Sequence, residues 1–382
     1  MKRLLFVLLP AIAYGLVLSI PMPASWGLSF RYGIFNVLLT IVVVQTIGIF
    51  LARAYKKTWI YDLVLLTFVA ILFALPLSGI WNSGISEASF IGGLLPWNDA
   101  NGYYLEAQKL HLEQINFEIS GSRRPMFPGL LAVLMRLFDG NLQAILGILV
   151  IFSAVASYCL SRSVHKVCGL ASGGLSLFLL FAFYRRYAGT TLTENLGFGL
   201  GCLGLLFLLE ATSILDLKCA VTSKVPSRGL VLSIVGIFFL SLALNARAGA
   251  FFILPAILFW GIFQFINDRK SLVIFIILGV ASVLLAFSAS KILLVAIGDS
   301  DAQNFSNFST VLYGLVVGGK GWTQVLSDYP GIAETDIYQV AWQEFQRNPS
   351  GVVVGALRYW NDYFNPHSLG AFSFHCPPEY AV

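Results

Sequence analysis

Charge is scarce in this sequence. Only 11% of its 382 residues are Asp, Glu, Lys or Arg, whereas a soluble globular domain is about 25% charged. This composition excludes an ordinary soluble globule. Aromatic residues make up 14% of the chain, which excludes a disordered segment. The net charge of +5 follows from how loops are sorted across a bilayer, so no nucleic-acid partner is expected.

Histidine and cysteine are also rare, with four and five residues. The cysteines match neither a metal-ligand spacing nor a CxxC motif, so we expect no zinc site and no disulfide framework. They are Cys159, Cys168, Cys202, Cys219 and Cys376.

Apolar residues dominate what is present: 57% of the chain is hydrophobic and the mean hydropathy is +0.79. Several apolar runs approach the roughly 20 residues that cross a bilayer as a helix. The runs are Leu4–Ile20, Gly33–Ala52, Trp59–Ser78, Leu142–Leu160, Gly169–Phe183, Thr191–Leu209, Leu230–Leu244, Ala250–Phe265 and Leu272–Ile297. The sequence therefore predicts an all-α, polytopic transmembrane helical bundle of about nine spans.

The first run follows Lys2 and Arg3 and resembles a signal peptide, with small residues near Ser25. Its apolar core is longer than the usual 7 to 15 or so residues, which favours a retained signal-anchor helix. The downstream topology is the same in both cases.

Basic residues near span ends are retained on the cytoplasmic side of a membrane. With the N-terminus inside, the inner loops hold Lys2, Arg3, Arg53, Lys56, Lys57, Arg162, Lys166, Lys218, Lys224, Arg228, Arg269 and Lys270. The short outer loops hold only Arg31, Arg185, Arg186 and Arg247. This asymmetry places two long polar segments, 79–141 and 298–382, on the outer face, where we expect the chemistry.

We therefore expect a transmembrane domain over 1–297, including the external loop 79–141, and an external C-terminal segment over 298–382. Both external segments are expected to carry surface helices, including an amphipathic helix over 336–346 with apolar residues at helical spacing. The sequence ends without another crossing, so this segment is expected to be short by nature or truncated.

Ionisable residues inside spans usually mark an ion or proton path. Here Asp62, Glu194, Glu210 and Lys291 all fall near predicted span ends. This placement argues against an ion-coupled transporter.

The outer loop contains a helix signal at Asn98 and Asp99, since either residue is a good N-cap for the apolar positions that follow. Capping alone would explain Asp99. Downstream, the apolar stretch Gly129–Phe138 is too short to cross and predicts a surface or re-entrant helix.

The order of several motifs resembles the GT-C lipid-linked glycosyltransferases, in the branch of protein mannosyltransferases and aminoarabinose transferases. The motifs are Asp99 with Tyr103-Tyr104, Ala107 and Leu110; Arg124-Pro125-Met126-Phe127-Pro128-Gly129-Leu130-Leu131-Ala132; Thr193-Glu194-Asn195; Arg247 ahead of Phe251-Phe252-Ile253-Leu254-Pro255; and Tyr313-Gly314-Leu315. The resemblance covers roughly residues 60 to 365. It implies transfer of a sugar, with inversion, from a polyprenyl phosphate on the outer membrane face.

The resemblance implies that Asp99 is the catalytic base or a metal ligand. Transfer needs a carboxylate that takes the acceptor proton. The loop carries this single Asp where the mannosyltransferase branch has an adjacent Asp-Glu pair. Glu194 would orient the acceptor or share a divalent cation (Mg²⁺ or Mn²⁺) with Asp99. Its alternative role is at a helix start, with Thr191 or Thr193 as the cap.

The leaving phosphate needs fixed cations at the membrane surface. Arg185, Arg186 and Arg247 oppose the positive-inside trend, and Arg124 precedes the predicted surface helix. Snorkelling or lipid-headgroup pairing explains such arginines equally well. Arg123 is as ambiguous as Arg124, and Lys320 is a weaker candidate.

The sequence thus predicts a multi-pass glycosyltransferase of the inner membrane with a periplasmic or extracellular active face. Its partners would be a polyprenyl-phosphate sugar donor, membrane lipid, and a lipid, glycan or protein acceptor. The alternative is a lipid-carrier transporter or flippase, or a non-catalytic membrane assembly component.

Overall fold

The computed structural model describes residues 2–112, 124–219, 227–247, 253–297 and 307–364. It divides into two compact units, Met1–Ser300 and Asp301–Val382. Nearly all of the described secondary structure is helical. The chain is an all-α polytopic helical bundle, as the sequence predicts.

The first unit contains twelve helices in its described residues. They are α1 (Lys2–Ser19), α2 (Ala24–Tyr32), α3 (Phe35–Ala54), α4 (Thr58–Ser83), α5 (Asp99–His111), α6 (Met126–Leu137), α7 (Leu142–Cys168), α8 (Leu170–Tyr184), α9 (Glu194–Cys219), α10 (Ser227–Ala246), α11 (Ile253–Phe265) and α12 (Arg269–Ile297). Every predicted apolar run coincides with a helix, although residues 250–252 of the eighth run lie outside the described residues.

Six described helices (α3, α4, α7, α9, α10 and α12) are long and apolar enough to cross a membrane, or seven spans if α1 and α2 form one bent crossing. In the described part of the chain, the predicted spans at α8 and α11 have 15 and 13 helical residues. These two helices are shorter than the roughly 20 residues that a full crossing needs.

The helix α4 lies at the centre of the first hydrophobic core. Its side chains Phe73 and Leu77 are fully buried with Phe181 and Tyr184 of α8. Phe73 packs edge-on against Phe181 at 5.2 Å and stacks on Tyr184 at 5.4 Å. The junction after α8 is therefore fixed to the middle of the bundle.

A sharp bend of 113° separates α1 from α2. Pro21 and Pro23 lie between these helices, and a proline disfavours helical geometry in the residue before it. After the bend, α2 approaches α4 so closely that a Cβ on Gly27 would overlap the Leu75 carbonyl oxygen and the Gly79 Cα. This contact requires glycine.

We expect Gly27→Ala to destabilise the bundle by about 2 kcal/mol, because the added methyl group overpacks a backbone contact. Gly15→Ala in α1 is the matched control. A Cβ at Gly15 would meet nothing within 4 Å, so this variant should gain up to about 1 kcal/mol. Tryptophan-fluorescence melting of both purified variants tests the contact, and equal shifts would contradict it.

The loop between α4 and α7, which the sequence predicts to be external, has structure of its own. Strands β1 (Phe90–Ile91) and β2 (Leu95–Pro96) form a short antiparallel hairpin ahead of α5. The predicted helices at Asp99 and within Gly129–Phe138 are present as α5 and α6. Tyr103 and Ala107 of α5 are buried against Phe127 and Leu131 of α6.

The second unit contains α13 (Asn307–Val316), α14 (Gln324–Asp328), α15 (Glu334–Arg347) and α16 (Ser350–Phe364). The predicted amphipathic helix over 336–346 is confirmed as α15. It buries Ile337 and Ala341 against Tyr313 and Val325.

Candidate functional site

Tyr103, on the second turn of α5, interacts electrostatically with four predicted site residues. Burial raises the pKa of Tyr103. The two guanidiniums of Arg124 and Arg247 oppose this rise, and the carboxylates of Asp99 and Glu194 add to it. The Arg124 guanidinium donates a hydrogen bond of 2.8 Å to the Tyr103 hydroxyl. Two carboxylates and two guanidiniums from four chain segments thus influence one phenol.

Glu194 and Arg247 form an ion pair between the start of α9 and the end of α10. Arg247 Nη2 lies 3.2 Å from Glu194 Oε1, and their side chains are 42% and 12% exposed. Gly197, one turn beyond Glu194, permits this approach, since a Cβ there would lie 3.0 Å from Arg247 Cβ. The guanidinium therefore keeps an accessible edge while its partner carboxylate is mostly enclosed.

The loop between α8 and α9 holds Glu194 next to the start of α5. Thr191 Oγ1 donates a 2.7 Å hydrogen bond to the Ala100 carbonyl in the first turn of α5. Asn195, 1% exposed, donates from Nδ2 to the Thr190 carbonyl at 2.9 Å and accepts from the Tyr184 hydroxyl at 2.7 Å. Glu194 is therefore fixed by buried neighbours on both sides in the chain.

Asp99 is exposed in the first turn of α5. Within the described part of the chain, its carboxylate accepts no hydrogen bond and forms no ion pair. The N-cap is Asn98, whose side chain makes no capping hydrogen bond. A negative charge in the first turn is still favoured by the helix dipole, but Asp99 is not the cap.

The backbone at Asn98 is strained, with φ 54° and ψ −130°. A non-glycine residue in such a region costs about 1–3 kcal/mol, and such outliers cluster at functional sites. The strained residue lies directly before Asp99, at the start of α5.

The structure separates Arg185 from this group. Its side chain is fully buried, and Nη1 donates to the carbonyls of Phe30 and Gly33 at 3.1 and 2.6 Å. Burial, together with Arg186 and Arg31, lowers the pKa of Arg185 to about 9. The side chain therefore ties the end of α8 to the turn between α2 and α3, and a buried group in this position does not reach a membrane-surface phosphate.

Arg186 is half-buried and interacts electrostatically with both Tyr187 and Glu87. Burial and Glu194 raise the pKa of Tyr187, and Arg247 and Arg186 only partly offset that rise. Arg186 also contributes to the lowered pKa of Glu87. Arg186 thus remains a candidate at the edge of the site, and Arg123 lies outside the described residues.

Arg31 is a second buried arginine that anchors the same loop. Its guanidinium donates to the carbonyls of Arg185, Arg186 and Ala188 at 2.8 to 3.0 Å. It also pairs with Glu87 at 3.1 Å. The loop that carries Arg186 is thereby held against α2.

We expect Glu87→Gln to destabilise the protein by about 2–3 kcal/mol, because it leaves the buried Arg31 charge without its carboxylate partner. Burial alone would raise the pKa of Glu87, but Arg31, helped by Tyr32 and Arg186, brings it below the usual range.

A lowered folded-state pKa means that this stabilisation is present above the unfolded-state value, about 4.3, and is lost as the pH falls through the folded-state value. The difference in melting temperature between wild type and Glu87→Gln should therefore be constant from about pH 5 to 7 and shrink below about pH 4. A difference that persists at the lowest pH would contradict the ion pair's role.

Tyr103, Thr191 and Asn195 belong to the site, although the sequence predicts no site role for them: Tyr103 and Asn195 enter only as motif members and Thr191 only as a possible cap. The signal for Tyr103 was its spacing, since it lies four residues after Asp99 and such residues are neighbours on one helix face. Thr191 and Asn195 flank Glu194, but their partners are distant in sequence.

No group of three or more His, Cys, Asp or Glu side chains that could hold a metal ion occurs in the described ranges. Asp99 and Glu194 would supply two carboxylates, which is enough for Mg²⁺ when phosphate oxygens and water complete its shell. In the structure, the Glu194 carboxylate is ion-paired with Arg247.

Six to seven candidate spans make the chain a multi-pass membrane protein. Comparison with known proteins yields no match to a family model, a curated protein or a solved structure.

Proposed function

We propose that this chain is an integral membrane glycosyltransferase that uses a polyprenyl-phosphate sugar as donor. The proposal combines the motif order that resembles the GT-C enzymes with one observation. The exposed Asp99 carboxylate has no partner in the described residues, and it lies one helical turn before Tyr103, whose hydroxyl accepts a 2.8 Å hydrogen bond from Arg124. Such an arrangement would supply a base and a phosphate-binding arginine together.

The proposed reaction begins when an acceptor hydroxyl or amine attacks the anomeric carbon of the donor. A bond forms between the acceptor atom and that carbon on the face opposite the phosphate, which inverts the configuration. The bond between the carbon and the phosphate oxygen breaks, and its electron pair stays on the phosphate. The acceptor proton passes to Asp99, as general base catalysis requires.

Arg247 and Arg124 would bind the departing phosphate. The negative charge of this group grows as the bond breaks, and guanidiniums match phosphate oxygens in a bidentate geometry. Arg247 is partly exposed although it is paired with Glu194. Glu194 would hold that guanidinium in place or orient the acceptor.

The lipid chain of the donor would approach along the hairpin before Asp99. Ile91, Leu94, Leu95 and Trp97 are 37% to 64% exposed there. Exposed apolar side chains beside a polar site suit a substrate whose head is charged and whose tail is hydrocarbon.

Asp99 could instead serve as a ligand of a divalent cation. Asp99 would hold Mg²⁺ or Mn²⁺ with phosphate oxygens and water, and Glu194 would join if Arg247 moved to the phosphate. When bound, the ion would neutralise charge on the leaving phosphate. Turnover measured before and after chelation by EDTA distinguishes this role from a base alone.

The transporter alternative gains no support from the acids in predicted spans. Asp62 is ion-paired with Arg162, Glu210 accepts a 2.6 Å hydrogen bond from Ser163, and Glu194 pairs with Arg247. Asp62 and Glu194 lie in the first turns of their helices, and all three acids are partnered, as structural charges would be.

The test is turnover by the purified full-length chain in liposomes. Polyprenyl-phosphate donors that carry labelled hexoses, pentoses or amino sugars are supplied with a membrane extract as the source of acceptors. We expect release of polyprenyl phosphate from at least one donor, matched by label in a product. If a correctly folded chain consumes no donor while a known transferase does so in parallel, the proposal fails.

A further inference from the structure

A cavity between α7, α9 and α10 lies far from the helix ends that carry Glu194 and Arg247. It has a volume of about 370 Å³ and is lined by residues of α7 and α9 and of the start of α10. Its charged lining is Arg162, Lys166, Glu210 and Arg228. Glu210 is 16 residues beyond Glu194, or about 24 Å along α9 at 1.5 Å per residue.

Positive charge exceeds negative charge around this cavity. Arg162 is paired with Asp62, and its Nη2 lies 3.3 Å from Asp62 Oδ2. Lys166 Nζ is 3.8 Å from Glu210 Oε1. Arg228 is exposed and forms no ion pair or hydrogen bond with any residue that the structure describes. Among the described side chains, the cavity therefore presents one guanidinium without a carboxylate partner, beside two further cations.

The remaining lining is largely apolar. Leu206, Phe207 and Leu232 contribute to it. Leu205 and Val231, next to these residues in the chain, are 44% and 56% exposed on the same helices. A ligand in this cavity thus meets both cations and apolar side chains.

We propose that this cavity binds the headgroup of an anionic phospholipid in the leaflet opposite the candidate active site. The positive-inside rule places Arg162, Lys166 and Arg228 on the cytoplasmic side, and the cytoplasmic leaflet carries anionic lipids. Basic pockets between transmembrane helices on that side bind phosphate headgroups. The phosphodiester would lie against Arg228 and Lys166, with the acyl chains along Leu205 and Val231.

The experiment uses the full-length chain in detergent and native mass spectrometry with three probes. The probes are dioleoyl phosphatidylglycerol, dioleoyl phosphatidylcholine and sn-glycerol 3-phosphate. Arg228→Gln removes the unmatched charge, Arg228→Lys retains it, and Arg269→Gln removes an exposed charge of the same predicted side that does not line the cavity. Melting temperatures in phosphatidylcholine establish that each variant is folded.

We expect phosphatidylglycerol to bind wild type at least tenfold more tightly than phosphatidylcholine. Arg228→Gln should weaken phosphatidylglycerol binding about tenfold, the usual scale for a hydrogen bond to a charged group. Arg228→Lys should restore most of the affinity, and Arg269→Gln should match wild type.

Three results would overturn the proposal. Equal affinities for the two lipids would remove the requirement for negative charge. Equal losses in Arg228→Gln and Arg269→Gln would indicate a diffuse surface effect. Displacement of phosphatidylglycerol by an equal concentration of sn-glycerol 3-phosphate would identify a site for a soluble phosphate ester instead of a lipid. None of these readouts depends on glycosyl transfer.

Discussion

Asp99→Asn is expected to lower the turnover of a polyprenyl-phosphate sugar by a factor of about 10² to 10⁴, the range that a positioned general base contributes. The amide has the same shape but cannot accept the acceptor proton. Asp99 is exposed and makes no hydrogen bond or ion pair in the described residues, so the fold should tolerate the change. The loss of a first-turn charge costs about 0.3–1 kcal/mol at most.

Asp139→Asn is the matched control for this variant. Asp139 is an exposed acid of the same loop between α4 and α7, and its φ of 50° is one that asparagine also adopts. We expect wild-type turnover from Asp139→Asn under identical conditions. If Asp99→Asn and wild type turned over donor at the same rate, Asp99 would lose its assigned role.

Arg247→Gln is the second variant with a large expected effect. It removes one guanidinium from the proposed phosphate clamp, and loss of one such donor typically lowers catalysis about 10²–10³-fold. It also leaves the mostly enclosed Glu194 carboxylate without its ion pair. Steady-state kinetics with saturating acceptor should show this loss in kcat/KM for the donor.

A double variant separates the two roles of Arg247. If the arginine only balances the charge of Glu194, then Glu194→Gln combined with Arg247→Gln should match Glu194→Gln alone in both melting temperature and turnover. If Arg247 binds phosphate, the double variant should turn over donor more slowly than Glu194→Gln alone. Equal turnover by these two variants would remove Arg247 from the clamp.

The helices could be predicted from sequence because each apolar run is long and bounded by polar residues. The bend after α1 depends on a contact that the sequence does not display. Pro21 and Pro23 mark a break, but only the Gly27–Gly79 approach determines that α2 turns back against α4. The sequence predicts spans at α8 and α11 because hydropathy shows that a run is apolar but not where its helix ends.

The site could be predicted in part because its charged residues stand out in an apolar chain. Asp99, Glu194, Arg124 and Arg247 all act on Tyr103. The burial of Arg185 could not be predicted, since its partners Phe30 and Gly33 are more than 150 residues away. An interfacial arginine that faces phosphate and one that is buried against carbonyl groups have the same local sequence.

The most direct measurement of the central claim is labelling of Asp99→Cys in a cysteine-free background. Intact cells are treated with a membrane-impermeant maleimide, with and without added polyprenyl phosphate. The account predicts modification from the outer face and slower modification when the lipid phosphate is present, with no slowing by phosphatidylcholine. Modification only after the cytoplasmic side is opened, or at a rate that polyprenyl phosphate leaves unchanged, would contradict it.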